Sequence, residues 1–254
     1  MGGEMSDTTP SVRIGLILPS GNILAEGQIH DMLPPTIGLH VTRLRLTGSS
    51  DADLDGMLAD LSQAASLVAD TRPDLIAFNC TAVSTRHPGS DREIAESIES
   101  ETGIPTITTG SALLEGLRAL KARRIVLVTP YIDAVVARET AFFEWHGIEV
   151  LAALGADING NWEMAQEPEQ RWQEMCLSAQ DDRADAYVLS CTAIRTHDII
   201  APLEEALKRP VLTSNQALAW LALRRTGAAQ ARPGFGKLMQ MPVEDGQKHQ
   251  GGKK

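Results

Sequence analysis

Cys80 and Cys191 stand 111 positions apart in matching surroundings, Asp74-Leu-Ile-Ala-Phe-Asn-Cys80-Thr-Ala in the first half of the chain and Asp185-Ala-Tyr-Val-Leu-Ser-Cys191-Thr-Ala in the second. A short apolar run bounded by polar residues reads as a buried strand. Each thiol therefore falls at the carboxyl end of a strand, where open parallel sheets place their ligands. Two thiols on opposite faces of one small molecule suit removal of a proton on one side and delivery on the other. They equally suit addition by one sulfur with protonation by its mate. Racemisation and cis-trans isomerisation are the natural outcomes. Two thiolates at close range repel, so one sulfur should carry the proton while the other is charged. A strand-to-helix turn, with its free N–H groups and positive helix end, is expected to lower a thiol pKa from about 8.5 toward neutrality. Cys176 lies in a polar helical stretch with no counterpart in the first half, and reads as an ordinary core cysteine.

The elements that position these thiols repeat as well. Arg13-Ile14 through Pro19-Ser20 matches Arg124-Ile125 through Pro130-Tyr131, again 111 positions on, and Pro105-Thr-Ile-Thr-Thr matches Pro210-Val-Leu-Thr-Ser, 105 positions on. Self-similarity at a fixed displacement implies duplicated units, here two homologous lobes with a few residues lost before the third element. A pseudo-two-fold axis between them would turn the two cysteine-bearing strand ends toward one cleft. Short apolar runs alternate with amphipathic stretches, the signature of a mostly parallel sheet covered by helices. Strands are expected at Val12 to Leu18, His40 to Leu46, Leu75 to Phe78, Thr106 to Thr108, Ile125 to Val128, Glu149 to Ala153, Ala186 to Leu189 and Val211 to Thr213. Helices are expected at Ala52 to Ala69, Asp91 to Glu101, Ala112 to Leu120 and Gln216 to Arg225. The expected organisation is a loose N-terminus over 1–11, lobe 1 over 12–121, lobe 2 over 122–228 with the chain crossing between lobes near its end, and a loose tail over 229–254.

Composition narrows the partners. The formal charge of -10 gives no concentrated basic face for nucleic acid. No run approaches the roughly 18 apolar residues of a membrane span, and the first residues lack a signal-peptide pattern, so a cytoplasmic address and no membrane partner are expected. Three cysteines at long spacing fit free thiols in a reducing compartment. The six histidines show no ligand spacing and no Cys-x-x-Cys occurs, so no metal is expected. No cofactor is expected either, since neither Gly-x-Gly-x-x-Gly nor a phosphate-binding loop is present. The expected partner is a small carboxylate or dicarboxylate, with a homodimer or higher homo-oligomer as the commonest state of soluble enzymes.

Further motifs are Pro19-Ser-Gly-Asn22 after the first strand, Thr129-Pro-Tyr131 after the mid-chain strand, Asn161-Trp-Glu-Met-Ala, and Ser190-Cys191-Thr. Taken in order with Cys80-Thr-Ala, over Val12 to about Ala228, they resemble the aspartate/glutamate racemase superfamily, and within it the branch holding maleate cis-trans isomerase and arylmalonate decarboxylase. The resemblance implies an α/β fold of two pseudo-symmetric lobes, each a mostly parallel sheet flanked by helices, with the active site in the cleft between them. It implies cofactor-independent isomerisation, in which Cys80 adds to the double bond of a cis-dicarboxylate to give a succinyl-cysteine-type adduct and Cys191 supplies and recovers the proton. It also matches Asn22, Tyr131 and Asn161 to carboxylate-binding positions, while Thr81, Ala82 and Thr192 in the turns after the cysteines offer N–H and hydroxyl donors. Each helper has a plainer reading: Asn22 as a helix cap, Tyr131 as a half-buried strand-end aromatic, Asn161 as a turn residue. Where the isomerases usually read Pro-Ser-Ser-Asn-Thr, this chain has Pro19-Ser20-Gly21-Asn22-Ile23, which removes two hydroxyls from the pocket wall. The decarboxylase branch typically carries Gly at the Cys80 position, which argues against decarboxylation. A two-cysteine racemase or epimerase is the alternative, and a non-catalytic solute binder of two lobes is a third reading.

Overall fold

The computed structural model describes residues 10–46, 48 and 50–241. The first half contains β1 (Val12–Pro19), α1 (Ala25–Met32), β2 (Ile37–Leu44), α2 (Asp51–Ala59), α3 (Leu61–Ala69), β3 (Leu75–Phe78), α4 (Thr81–Ser84), α5 (Ser90–Thr102), β4 (Thr106–Thr108) and α6 (Thr109–Ala119). The second contains β5 (Arg124–Thr129), α7 (Asp133–Trp145), β6 (Glu149–Gly155), α8 (Asn161–Gln166), α9 (Glu169–Ser178), β7 (Ala186–Leu189), α10 (Ile200–Leu207), β8 (Val211–Thr213), α11 (Ser214–Arg225) and α12 (Gly236–Gln240). Each half folds one four-stranded, all-parallel sheet, in the orders β2-β1-β3-β4 and β6-β5-β7-β8.

The repeat extends to strand register. Ile14 pairs with Leu75 and Ile125 with Ala186, both partners displaced by 111, while Ile76 pairs with Thr106 and Tyr187 with Val211. Even the anchor at the strand bottoms recurs: the Arg13 N–H donates to Asp74 at 2.8 Å, and the Arg124 N–H to Asp185 at 2.9 Å. Alternation along each strand then divides the core. Ile14, Leu16, Leu75, Ala77, Ile125, Leu127, Ala186 and Val188 face a central cluster shared by both halves. Ile17, Ile76, Phe78 and Cys80 face an outer cluster covered by α2, α3 and α5, and Val126, Val128, Leu189 and Cys191 face its counterpart in the second half. Helices α6 and α11 pack on each other through the centre, and each also reaches the other half: α6 touches β8, while α11 touches α1, β3 and β4.

Several elements differ from the sequence reading for local reasons. β2 starts at Ile37 and ends at Leu44, where His40 to Leu46 was expected, because it pairs residue for residue with β1 from Val12 to Pro19. The single helix expected from Ala52 to Ala69 breaks at Asp60, whose φ of -97° and ψ of 7° turn the chain between α2 and α3. α6 and α11 begin earlier than their apolar periodicity suggested, since Thr108 and Thr213 cap them through reciprocal bonds with Ser111 and Gln216. The stretch expected to be a loose tail from 229 is corrected for its described part. There, Leu238 and Met239 of α12 are buried in the central cluster, and Glu204 accepts from the Lys237 N–H at 2.9 Å. Positions 1–9 and 242–254 of the two expected loose ends lie outside the described residues. No helix among the described residues is long and apolar enough to cross a membrane.

Gly155, at the end of β6, packs closely against the backbone of Tyr131 in the turn after β5. A Cβ there would collide with the Tyr131 carbonyl oxygen and stand 2.9 Å from the Val136 side chain. Gly155→Ala is therefore expected to cost about 1–3 kcal/mol of stability, as overpacking does, measurable as a lowered urea midpoint with an unchanged slope.

Candidate active site

The carboxyl ends of both sheets meet at one cleft enclosing about 420 Å³ of empty space, counting the part open to solvent. Its lining includes Cys80, Thr81 and Ala82 from the turn after β3, Cys191 and Thr192 from the turn after β7, Tyr131 after β5, and Asn159, Asn161 and Met164 at the start of α8. Pro19, Leu46, Gly48 and Leu54 close the remaining wall. The two sulfurs sense each other, since a charge on Cys191 raises the Cys80 pKa. Cys176, on α9, is buried in the outer cluster of the second half and does not line the cleft.

Each sulfur stands two residues past its strand, Cys80 after Phe78 and Cys191 after Leu189, where the apolar run is spent and Thr81 or Thr192 leads into the next turn. The turns then differ. Cys80 is the N-cap residue of the single helical turn of α4, where the Val83 N–H lowers its pKa, whereas Cys191 enters an irregular turn in which the Ala193 N–H donates to its sulfur at 3.2 Å. Tyr131, itself buried, donates its hydroxyl to Cys191, and the Met164 sulfur lies 3.9 Å away. The sequence expectation of thiols near neutrality is corrected. Burial pushes Cys80 up to about 12, outweighing the Val83 N–H, and pushes Cys191 up to about 12, outweighing Tyr131 and Ala193. One helical turn at Cys80, and none directly after Cys191, supplies too little positive end to offset the lost water.

The sequence-derived helpers fall in two shells. Thr81, Ala82, Tyr131, Asn161 and Thr192 line the cleft. Asn22, expected against a carboxylate, is fully buried outside the lining. Its Oδ1 accepts from the Leu24 and Ala25 N–H groups at the start of α1, and its Nδ2 donates to the Thr192 hydroxyl at 3.0 Å. It caps one helix and steadies the facing turn.

Behind the cysteines lies a buried polar network that sequence reasoning missed. The Thr81 hydroxyl donates to Ser214 Oγ at 2.9 Å, and the same oxygen accepts the Cys191 N–H at 3.0 Å, so one hydroxyl joins both cysteine turns. Asn215 donates to the Thr192 carbonyl at 3.1 Å and accepts from Asn79 at 3.2 Å, and Asn79 accepts from Thr109 at 3.2 Å. The available signal was the repeat itself, which places Asn79 beside Cys80, Ser190 beside Cys191, and Thr109 and Ser214 after matched caps. Glu139 on α7 was also missed. It is fully buried and accepts a very short hydrogen bond from Ser190, and its second oxygen has no hydrogen-bond partner among the described residues. No group of three or more His, Cys, Asp or Glu side chains that could hold a metal occurs among the described residues.

Two duplicated parallel α/β lobes offering one cysteine each to a shared cavity define an enzyme of the aspartate/glutamate racemase-like superfamily. The chain belongs to the arylmalonate decarboxylase family, whose model matches residues 14–239. It is 29% identical to a maleate isomerase from Nocardia farcinica, over 89% of this chain and 95% of the relative. It is 30% identical to an arylmalonate decarboxylase from Bordetella bronchiseptica, over 93% of this chain and 89% of the relative. A mutant of the Nocardia farcinica maleate cis-trans isomerase, solved with a covalently bound succinylcysteine intermediate, superposes with a TM-score of 0.86 at 26% identity, covering 90% of this chain and 98% of that one.

The buried Glu139 carries a stability signature. Burial raises its pKa from 4.5 to about 7, against the lowering effect of the Ser190 hydroxyl. The folded state thus holds a proton that the unfolded chain releases between those values, so unfolding free energy falls as pH rises through that window. Glu139→Gln should remove this loss, gaining about 3 kcal/mol on the native chain between pH 4.5 and 7, read by urea denaturation at both pH values.

Proposed function

We propose that this chain is a cofactor-independent cis-trans isomerase acting on maleate or a similar cis-dicarboxylate. The observation that carries the reading is the pair of sulfurs, one from each duplicated lobe, lining a single cavity whose polar walls are neutral donors. The succinylcysteine adduct of the related isomerase supports it.

Cys80, as thiolate, adds to one alkene carbon; its electron pair becomes the C–S bond, and the alkene pair moves to the neighbouring carbon as a carboxylate-stabilised carbanion. The Cys191 thiol protonates that carbon. A single bond now joins the two carbons, and rotation about it carries one carboxylate to the opposite side. The Cys191 thiolate then removes the proton, the C–S bond breaks, and the trans alkene leaves with Cys80 again a thiolate. Thr81, Ala82, Tyr131, Asn161 and Thr192 bind the carboxylates, while Asn22 holds Thr192. The near-symmetric sulfur pair also favours a second reading, a racemase or epimerase at a carbon beside a carboxylate. The partner is a small carboxylate or dicarboxylate and the working form a homo-oligomer in the cytoplasm.

Incubation with maleate should show fumarate growing in proton NMR, and Cys80→Ser and Cys191→Ser should each lower turnover at least about a thousandfold, consistent with loss of a nucleophile or its proton partner. Cys176→Ser should leave it within about twofold. No fumarate, with deuterium entering chiral acids from solvent instead, would favour the racemase; full activity in Cys80→Ser would overturn the mechanism.

A further inference from the structure

The duplication that pairs the sulfurs also pairs the residues behind them, and one pair differs in charge. At the displacement of 111 that relates Cys80 to Cys191, Gln28 on α1 corresponds to Glu139 on α7. Both side chains are buried and both reach the second cysteine turn. Gln28 donates to the Ile194 carbonyl at 2.8 Å and accepts from the Thr196 hydroxyl at 3.0 Å, staying neutral. Glu139 instead takes the hydroxyl of Ser190, the residue before Cys191, and keeps its other oxygen unpartnered.

We propose that Glu139 is a positioning residue that fixes the catalytic proton on Cys191: its buried carboxyl, presented through Ser190, keeps that sulfur a thiol and leaves Cys80 as the one that ionises. This rests on the isomerase reading, in which the two sulfurs have unequal roles, and adds a difference in charge to the difference in backbone between the two cysteine turns. The groups around Glu139 are the Ser190 hydroxyl, the Cys191 thiol and the Tyr131 phenol. On β6, the strand packed against α7, the titratable residue is Glu149, which is exposed. On the first-lobe side, Phe142 of α7 and Asp91 of α5 stand against Gly110. Burial is the main influence raising Cys191, offset by Tyr131 and the Ala193 N–H, and the charge of Glu139 adds to it. Cys80 feels burial, the Val83 N–H and the charge of Cys191. A carboxylate therefore bears on one sulfur of the pair.

The test reads thiol ionisation directly, without substrate. Wild-type protein and Glu139→Gln are treated with iodoacetamide between pH 6.5 and 10, and alkylation of each cysteine peptide is timed by mass spectrometry. In the wild type, Cys80 should be alkylated faster than Cys191 throughout. In Glu139→Gln, Cys191 should react at least about fivefold faster at pH 8 to 9, with its profile moved to lower pH and Cys80 changed less than twofold. Ser190→Ala, which leaves the carboxyl without its hydrogen bond and so neutral to higher pH, should move Cys191 the same way near pH 7 to 8. An unmoved Cys191 profile in both variants, or equal acceleration of both cysteines, would overturn the proposal. Maleate turnover by the wild type is followed separately: its absence would remove the isomerase reading while leaving the ionisation result to stand or fall by itself.

Discussion

The site depends on a set of hydrogen bonds that cross from one lobe to the other behind the cysteines. Thr81 and the Cys191 N–H share the oxygen of Ser214, Asn22 reaches Thr192, and Asn79 reaches Asn215. All of these side chains are buried, so each group left without a partner would cost about 1–3 kcal/mol. That cost locks the turn after β3 to the turn after β7, and the cleft is what remains between two strand ends that cannot slide past each other. The helices α6 and α11, packed through the shared core, hold the same relationship by apolar contact.

Within this frame the sulfurs are held in tension between burial and donors. Raising a thiol from 9.0 to about 12 makes ionisation about 4 kcal/mol harder than in water. Each sulfur therefore relies on the few N–H and O–H groups aimed at it, and a second thiolate beside the first is disfavoured, since a charge on Cys191 raises Cys80 further. A reaction in which one sulfur gives its charge to carbon while the other gives up its proton avoids holding two thiolates at once. Neutral threonine, tyrosine and asparagine groups, rather than arginines, line the walls, so the field across the pocket is shaped by dipoles.

Much of this was legible in the sequence because duplication leaves a mark that single motifs do not. The matched Asp-to-Cys runs located both strand ends, both sulfurs and the facing lobes. The helper Asn22 was found, but its chain position alone does not say that the start of α1 and the Thr192 hydroxyl take its side chain. The thiol environment was misjudged for a related reason: the spacing revealed a turn after each strand, but not that α4 is a single helical turn and that no helix directly follows Cys191. Ser214, Asn215 and Asn79 were hidden because ordinary polar residues gain meaning only when distant segments meet. Leu238 and Met239 were hidden by a Gly- and Lys-rich neighbourhood that reads as a loose end.

The central claim is that Cys80 and Cys191 face each other across one cavity, and a short bifunctional thiol reagent such as dibromobimane tests it most directly. The account predicts one bridge per chain, recovered after proteolysis as a single cross-linked species joining the Cys80 and Cys191 peptides, with Cys176 unmodified. Separate modification of the two cysteines without any bridge, or a bridge that includes Cys176, would contradict it.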